Sequence, residues 1–398
     1  MDNNILPEIT FEQIQNDLVK NKQELNDQPS LSQDNIIQRI LATKDKLKHR
    51  KASSIKFSDP LLYQNGNPVF FPNTINVIQG QAGVHKSRLA EYICSAIIKL
   101  LGCLNELLGF HTSDLTPKYS VLYVDTERNL NEQLPFALQS IQMKAGYKRE
   151  DHPTEFDYIS LLEFDRKDRF TVLNKYLTYY RTIYMDRPTF IVLDVSTDCI
   201  EDFNKSDKSM ELIDHMNLAI NEHNVVFLCL IHENPGSEKA RGHFGTELIN
   251  KSSTVMRVDF EKDGNGPTNI IQVRYLKCRS TARHEPFYIK YSEEEKGLVL
   301  VDSESIDAIK TNRQQTAKIG DIIEYISVNF KSDTEITKTE LLESLSKYIG
   351  GSTRTIETRL AEIIKKEIQF ILSSDNEPYQ LEKSTKKKLI YYSVKHLK

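Results

Sequence analysis

The sequence predicts an α/β chain: a mainly parallel sheet with antiparallel edge strands, followed by a small C-terminal winged helix-turn-helix. Three observations carry this. Between Ile75 and about Val301, short and wholly apolar runs alternate with helical segments, as when strands are covered on both faces by crossover helices. The last runs, beginning at Thr254, follow one another through a glycine-rich turn, Asp263 to Pro267, which predicts hairpins added at one edge. Beyond a polar stretch come three amphipathic segments and then two β-like runs, the order of a winged helix.

Taken in order, residues 1–50 carry seven Lys/Arg and eight Asp/Glu with few aromatics, and read as an arm. Ile36, Ile37, Ile40 and Leu41 have helical spacing, so the arm is expected either to hold a short helix packed on a neighbour or to be mobile. Asn65-Gly66, between two apolar runs, predicts a tight hairpin turn. Strands are expected over 75–78, 120–125, 156–160, 189–194, 225–231, 254–260, 269–277 and 286–292, with helices over about 86–108, 131–145, 167–184 and 207–222. The domains then fall at 51–305 for the α/β unit, 306–317 for a linker and 318–398 for the winged helix. In the last, Ser352 caps a helix whose apolar face is Ile356, Leu360, Ile363 and Ile364, and QFIL and LIYYSV flank the polar turn SSDNEPYQ.

Composition narrows the function. With 39% hydrophobic and 27% charged residues, the chain folds in water. A net charge of −4 predicts no polyanion binding by the chain as a whole, so any nucleic-acid surface is local. The five cysteines have no C-x-x-C spacing; Cys94, Cys199 and Cys229 sit among aliphatic residues, and a reduced cytoplasmic protein is expected. The most apolar stretch, Leu89 to Phe110, is broken by Glu91, Lys99, Asn105 and Glu106, and the first residues lack a basic segment before an apolar one. Neither membrane spanning nor export is expected.

Gly80-Gln81-Ala82-Gly83-Val84-His85-Lys86-Ser87 follows a predicted strand and precedes a predicted helix. The spacing is that of a phosphate-binding loop, G-x-x-x-x-G-K-[ST], with His85 in place of the second glycine. Backbone amides from Gly80 to Arg88 would curl around a β-phosphate, Lys86 would bridge β- and γ-oxygens, and the Ser87 hydroxyl would ligate Mg²⁺. If His85 keeps φ below zero its side chain can point away from the phosphates; if the loop needs glycine there, binding suffers. Strand 120–125 ends near Asp125 and Glu127, and strand 189–194 ends in Asp194. A carboxylate at either tip suits water activation or support of a magnesium ion, against the alternative of solvated loop acids.

The order GQAGVHKS, VDTER, FIVLD, FLCLIHENPGSEKARGHFGTELI and RYLKCRS resembles the RecA-like ATPase core, most nearly the RepA and DnaB type of hexameric replicative helicase and its mobile-element relatives. The resemblance spans about Ile55 to Leu300. It implies that Glu127 activates water, that Asp194 is the Walker B acid, and that His232 senses the γ-phosphate. It further implies that the loop from Glu233 to Gly245, with Gly236, Lys239, Arg241 and Gly242, is mobile and faces DNA. Lys277 and Arg279 are two apart on a strand, and by resemblance complete a neighbour's site as an arginine finger. The departures are His85 and the lack of a counterpart to the N-terminal domain with which DnaB holds primase.

The C-terminal unit has 14 Lys/Arg against 12 Asp/Glu, and Lys383 to Lys398 holds six lysines and no acid. Thr353, Arg354, Thr355 and Arg359 suit contacts to phosphates and base edges, although Glu357, Glu362 and Glu367 share the helix and winged helices also bind proteins. The whole predicts an ATP- and Mg²⁺-dependent, DNA-associated motor in replication, mobilisation or recombination. It would be a homo-oligomer such as a hexamer, with single-stranded DNA in the ring and duplex at the winged helix. The alternatives are a nucleotide-gated DNA-binding regulator with little turnover, and an adaptor with an inert loop.

Overall fold

The computed structural model describes residues 33–185, 187–262, 267–302, 304–307, 317–349, 352–386 and 388–397. The chain divides into two compact units, Met1–Ser58 and Asp59–Lys398. In the first, the described residues contain helix α1 (Gln33–Lys51). The expected helix is there, and Ile36, Ile37, Ile40 and Leu41 are exposed. The rest of the predicted arm, most of the predicted linker and the turn 263–266 lie outside the described residues.

The second unit opens with β1 (Leu62–Gln64) and β2 (Asn67–Phe70). Asn65 and Gly66 connect them with φ of 48° and 81°, both in the left-handed region that a two-residue hairpin turn needs and that Asn and Gly tolerate. A short strand, β4 (Phe110–His111), pairs with β1. The principal sheet holds β3 (Ile75–Gly80), β5 (Ser120–Asp125), β6 (Phe156–Ser160), β7 (Thr189–Asp194), β8 (Val225–His232), β9 (Thr254–Lys262), β10 (Pro267–Cys278), β11 (Phe287–Ser292) and β12 (Gly297–Leu300). Its order is β12-β11-β10-β9-β3-β8-β7-β5-β6. Strands β9, β3, β8, β7, β5 and β6 run parallel, and β10, β11 and β12 continue antiparallel from β9. This is the expected α/β architecture, with one strand, β12, that the sequence reading missed.

Period-two side-chain alternation divides the interior. Val121 and Tyr123 of β5, Phe190 and Val192 of β7, and Val226, Leu228 and Leu230 of β8 enter one apolar cluster with helix α2 (Lys86–Ile97). Leu122, Val124, Ile191, Leu193, Phe227 and Cys229 enter the other. That second face is covered by α4 (Arg166–Tyr184), α5 (Ser206–His223) and α6 (Gly242–Lys251). Because both faces are dry, the strands tolerate no polar alternation. Helix α3 (Gln133–Lys144) lies beside α2, its Ile141 in the first cluster. Cys94, Cys199 and Cys229 are buried and all five cysteines are free, as their aliphatic surroundings predicted.

The α2 helix is shorter than the apolar run suggested. It ends at Ile97 and not near 108, because Leu100 N–H bonds the carbonyl of Ala145 and Gly102 turns the chain at φ 83°. Leu101 and Leu104 are consequently exposed.

After Ala317 comes a smaller body with its own apolar cluster. Helices α7 (Ile319–Asn329), α8 (Lys338–Ile349) and α9 (Thr353–Lys365) pack on a four-stranded antiparallel sheet. Its strands are β13 (Glu335–Thr337), β14 (Gln369–Ile371), β15 (Pro378–Lys386) and β16 (Leu389–His396), ordered β13-β16-β15-β14. Ser352 caps α9, accepting the Thr355 N–H at 3.2 Å, and Ile356, Leu360 and Ile363 are buried as expected. The turn predicted over SSDNEPYQ is partly strand, however. Residues from Pro378 pair with both β14 and β16, and only Tyr379 and Leu381 of β15 point inward, too weak a pattern to read from a polar sequence.

Candidate nucleotide site

Four adjacent parallel strands bring their C-terminal tips together. Gly80 of β3 lies in register with His232 of β8, and Asp125 of β5 with Asp194 of β7. The chain leaves β3 as a tight loop into α2, whose first amides have no partner within the helix. Gly80 is required by close approach: a Cβ there would lie 2.3 Å from the Val258 carbonyl oxygen. Gly83 has φ 80°. The loop closes on its own lysine, with Lys86 Nζ donating to the carbonyls of Gly80 at 2.9 Å and Gln81 at 2.7 Å. Burial pulls the Lys86 pKa down to about 8, opposed by Asp194, Glu127 and Glu233.

His85 resolves the question its sequence position posed. Its φ is 64°, the left-handed conformation in which glycine is favoured, so the alternative with φ below zero does not hold. The ring nevertheless leaves the loop free. It stacks on Tyr291 of β11, with centroids 5.6 Å apart and planes 7° apart, and meets Phe260 edge-on at 6.4 Å. Burial, and then the Arg88 guanidinium, lower its pKa, which disfavours the imidazolium that a phosphate contact would use.

On the acidic side, Ser87 Oγ donates to Asp194 Oδ1 at 3.0 Å. The other oxygen, Oδ2, accepts from Tyr123 OH at 2.7 Å and Arg128 Nη2 at 3.1 Å. Asp125 Oδ1 accepts the backbone N–H groups of Glu127 and Arg128 at 3.0 and 2.8 Å, fixing the turn that carries Glu127. The Glu127 carboxylate lies 4.0 Å from His232 Nε2, and His232 Nδ1 is 3.3 Å from Lys86 Nζ. Burial and then Asp194, Asp198 and Asp125 raise the Glu127 pKa. Burial and then Lys86 and Arg241 lower that of His232. Lys86, Ser87, Glu127, Asp194 and His232 therefore converge on one cavity of about 560 Å³, with Gly83, His85, Arg88 and Phe136 also in its wall. The arrangement offers an anion an ammonium, a hydroxyl and helix-terminal amides. To a hard cation it offers Ser87 Oγ beside a carboxylate oxygen, the donor set magnesium prefers; the residues fit that ion.

Lys277 and Arg279 stand elsewhere. Cys278 pairs with Thr254, and Thr254 with Asn76 near the start of β3, so the end of β10 lies at the sheet edge opposite Gly80. Both cations hold the C-terminus of α6: Lys277 Nζ donates to the carbonyls of Ile249 at 2.7 Å and Asn250 at 2.8 Å, and Arg279 Nη2 to Asn250 at 2.9 Å. Lys277 is half-buried and Arg279 exposed, and neither lies at the Gly80 end of the sheet.

The segment expected to be a mobile loop is a short hairpin. Glu233 bridges Ala240, and Asn234 N–H bonds the Lys239 carbonyl. Gln79 Nε2 donates to Glu233 Oε1 and the Glu238 carbonyl, both at 2.8 Å, and Gln81 Nε2 to the carbonyls of Asn234 and Ser237. Arg257 pairs with Glu233 at 2.6 Å, its buried guanidinium also holding Asp259. Lys239 and Arg241 are exposed, with the Arg241 guanidinium over the Phe203 ring at 5.0 Å. On α9, Arg354 is exposed, and Arg359 pairs with Glu362 at 2.9 Å.

Sequence reasoning missed Tyr123, Arg128 and Glu91 around Asp194, Gln79 and Tyr291 beside the loop, and the bonds from the Gln81 side chain to Asn234 and Ser237. Tyr123 was within reach, since period two puts it on the Asp125 face. The hairpin carbonyls that the two glutamines bond, and the Tyr291 ring, come from far along the chain, and no local signal marks those contacts.

The fold and site define an α/β chain with a tight strand-to-helix loop and a cluster of acids at the tips of its parallel strands. No protein-family model matches this sequence, and no curated protein does. Among solved structures it is similar to the RadB recombinase (15% identity, 58% of this chain and 92% of that one, TM-score 0.39). It is also similar to the flagellar accessory protein FlaH from Methanocaldococcus jannaschii (14%, 60% and 94%, TM-score 0.38) and to a third structure, that of an ATPase domain (9%, 69% and 100%, TM-score 0.43). No helix among the described residues is long and apolar enough to cross a membrane.

Proposed function

We propose that this chain is a RecA-like ATPase that binds MgATP on the loop from Gly80 to Arg88, hydrolyses it and acts on DNA as an oligomer. The observation that carries the reading is the convergence of Lys86, Ser87, Asp194, Glu127 and His232 in one cleft at the strand tips. Lys86 exchanges its loop carbonyls for β- and γ-phosphate oxygens, and the loop amides hold the β-phosphate. Ser87 and Asp194 would hold Mg²⁺, whose charge would offset that of the phosphates. Glu127 orients water and takes its proton as the new P–O bond forms and the β–γ bridge breaks; its raised pKa suits that role. His232, between Lys86 and Glu127, reports the γ-phosphate to the hairpin from Glu233 to Ala240. Through that hairpin Lys239 and Arg241 would follow single-stranded DNA. The C-terminal body, in this reading a winged helix, would present Arg354 and Arg359 to duplex.

Lys277 and Arg279 lie far from their own Gly80 edge, so they serve a neighbour's site if they serve one. A second reading, a nucleotide-gated DNA-binding regulator with little turnover, is favoured by one observation: both cations are engaged by α6 carbonyls and must be released first. ATP turnover measured with and without single-stranded DNA separates the two. Strong stimulation supports the motor, binding without turnover the switch, and no binding removes both. Mixing Arg279→Ala with Glu127→Ala subunits tests the shared site: partial recovery supports it, and none refutes it.

A further inference from the structure

The Asp194 carboxylate is surrounded more heavily than a metal-supporting acid requires. Arg128 Nη2 lies 3.1 Å from Asp194 Oδ2 and 3.2 Å from Glu91 Oε1, and Arg128 Nε lies 3.7 Å from Asp125 Oδ2. The three acids expose 4%, 5% and 1% of their side chains respectively. The guanidinium also lies over the Tyr123 ring at 5.7 Å, whose hydroxyl donates to the same Oδ2. Its Nη1 is buried without a hydrogen-bond partner, so the group is held by charge and not by a complete set of donors and acceptors.

Buried carboxylates beside a serine hydroxyl attract hard divalent cations by themselves. Here a fixed cation already stands among them. Oδ2 is saturated by Tyr123 and Arg128, and only Oδ1 faces Ser87. A divalent ion entering at Ser87 meets one carboxylate oxygen and a nearby positive charge, and needs phosphate oxygens to complete its shell.

We propose that Arg128 is a positioning residue that makes metal binding at Ser87 and Asp194 conditional on nucleotide, by acting as the resident counter-ion of Asp194. The proposal rests on the reading that MgATP binds this cleft. Arg128 follows Glu127 on one turn, so the same guanidinium also ties the water-orienting carboxylate's turn to the acid that supports the metal.

The test is binding of free Mn²⁺ to the full chain without nucleotide, followed by the electron paramagnetic resonance signal of the unbound ion. Arg128→Gln should gain one Mn²⁺ site, with affinity roughly ten- to a hundredfold above that of the unmodified chain. The double variant Arg128→Met/Glu91→Met removes one positive and one negative charge together, so the net charge around Asp194 and Asp125 is unchanged; it should gain the site even if Arg128→Gln does not fold. Adding Asp194→Asn should abolish the gain. Folded variants that bind Mn²⁺ no better than the unmodified chain would overturn the proposal, as would a gain that survives Asp194→Asn. ATP binding in EDTA is measured on the same proteins: its absence in the unmodified chain counts against the phosphate-loop reading, independently of the Mn²⁺ result.

Discussion

Replacing His85 by glycine and by valine separates what the backbone needs at this position from what the ring supplies. The residue sits at φ 64°, where a side chain costs about 1–2 kcal/mol relative to glycine. Glycine removes that strain but adds about 0.5–1 kcal/mol of chain entropy to be lost on folding. It also forfeits the stack on Tyr291, an aromatic pair of the kind that contributes roughly 0.5–1.5 kcal/mol. These terms nearly cancel, so His85→Gly should change unfolding free energy by less than about 1 kcal/mol. Its affinity for a fluorescent ATP analogue should stay within about tenfold, a difference of some 1.4 kcal/mol. Valine keeps the left-handed strain, worsens it by branching and loses the stack; it should cost about 2–3 kcal/mol and weaken nucleotide binding with it. Urea unfolding and analogue titration on both variants read these outcomes. A well-folded His85→Gly chain that binds ATP a hundredfold more weakly would refute the reasoning, because the imidazole would then be touching the phosphates.

Four further residues give expected outcomes. Lys86→Ala should abolish ATP binding. In the unmodified chain affinity should fall as pH rises above about 8, the Lys86 pKa, since phosphate favours the charged amine and binding must then take up a proton; calorimetry in buffers of different ionisation enthalpy detects that uptake. Glu127→Gln should bind ATP normally yet lose at least about a hundredfold in turnover. Because burial raises the Glu127 pKa, turnover in the unmodified chain should begin to fall at a higher pH on acidification than an ordinary glutamate would dictate; a profile flat through that range would contradict its role as base. Gly80→Ala places a methyl against the Val258 carbonyl and should cost roughly 1–3 kcal/mol in urea unfolding. Ser352→Ala removes the cap on α9 and should destabilise the C-terminal body by about 1 kcal/mol; an unchanged transition would show the cap is idle.

Much of this molecule is written locally. Runs such as SVLYVD and TFIVLD coincide with their strands to the residue, because a strand covered on both faces is continuously apolar and needs no partner to be recognised. The phosphate-type loop is also local, since strand, turn and helix N-terminus are contiguous. Asp125, Glu127, Asp194 and His232 could be picked out because each closes or follows such a run. Where the pattern weakens, as in the polar strand β15 or the apolar stretch past Ile97, the sequence misleads: a distant partner sets the boundary, Leu389–His396 in one case and the Ala145 carbonyl in the other.

Short-range sterics and side-chain periodicity account for the α/β order, the loop from Gly80 to Ser87 and the acids at the strand tips. Long-range packing instead turns His85 left-handed onto Tyr291, joins Asp194 to Glu91 and Asp125 through Arg128, and sets Lys277 and Arg279 against α6 at the far sheet edge. Those arrangements depend on charges and rings brought together from strands and helices remote in the chain, and their energies exist only once burial has removed the water between them.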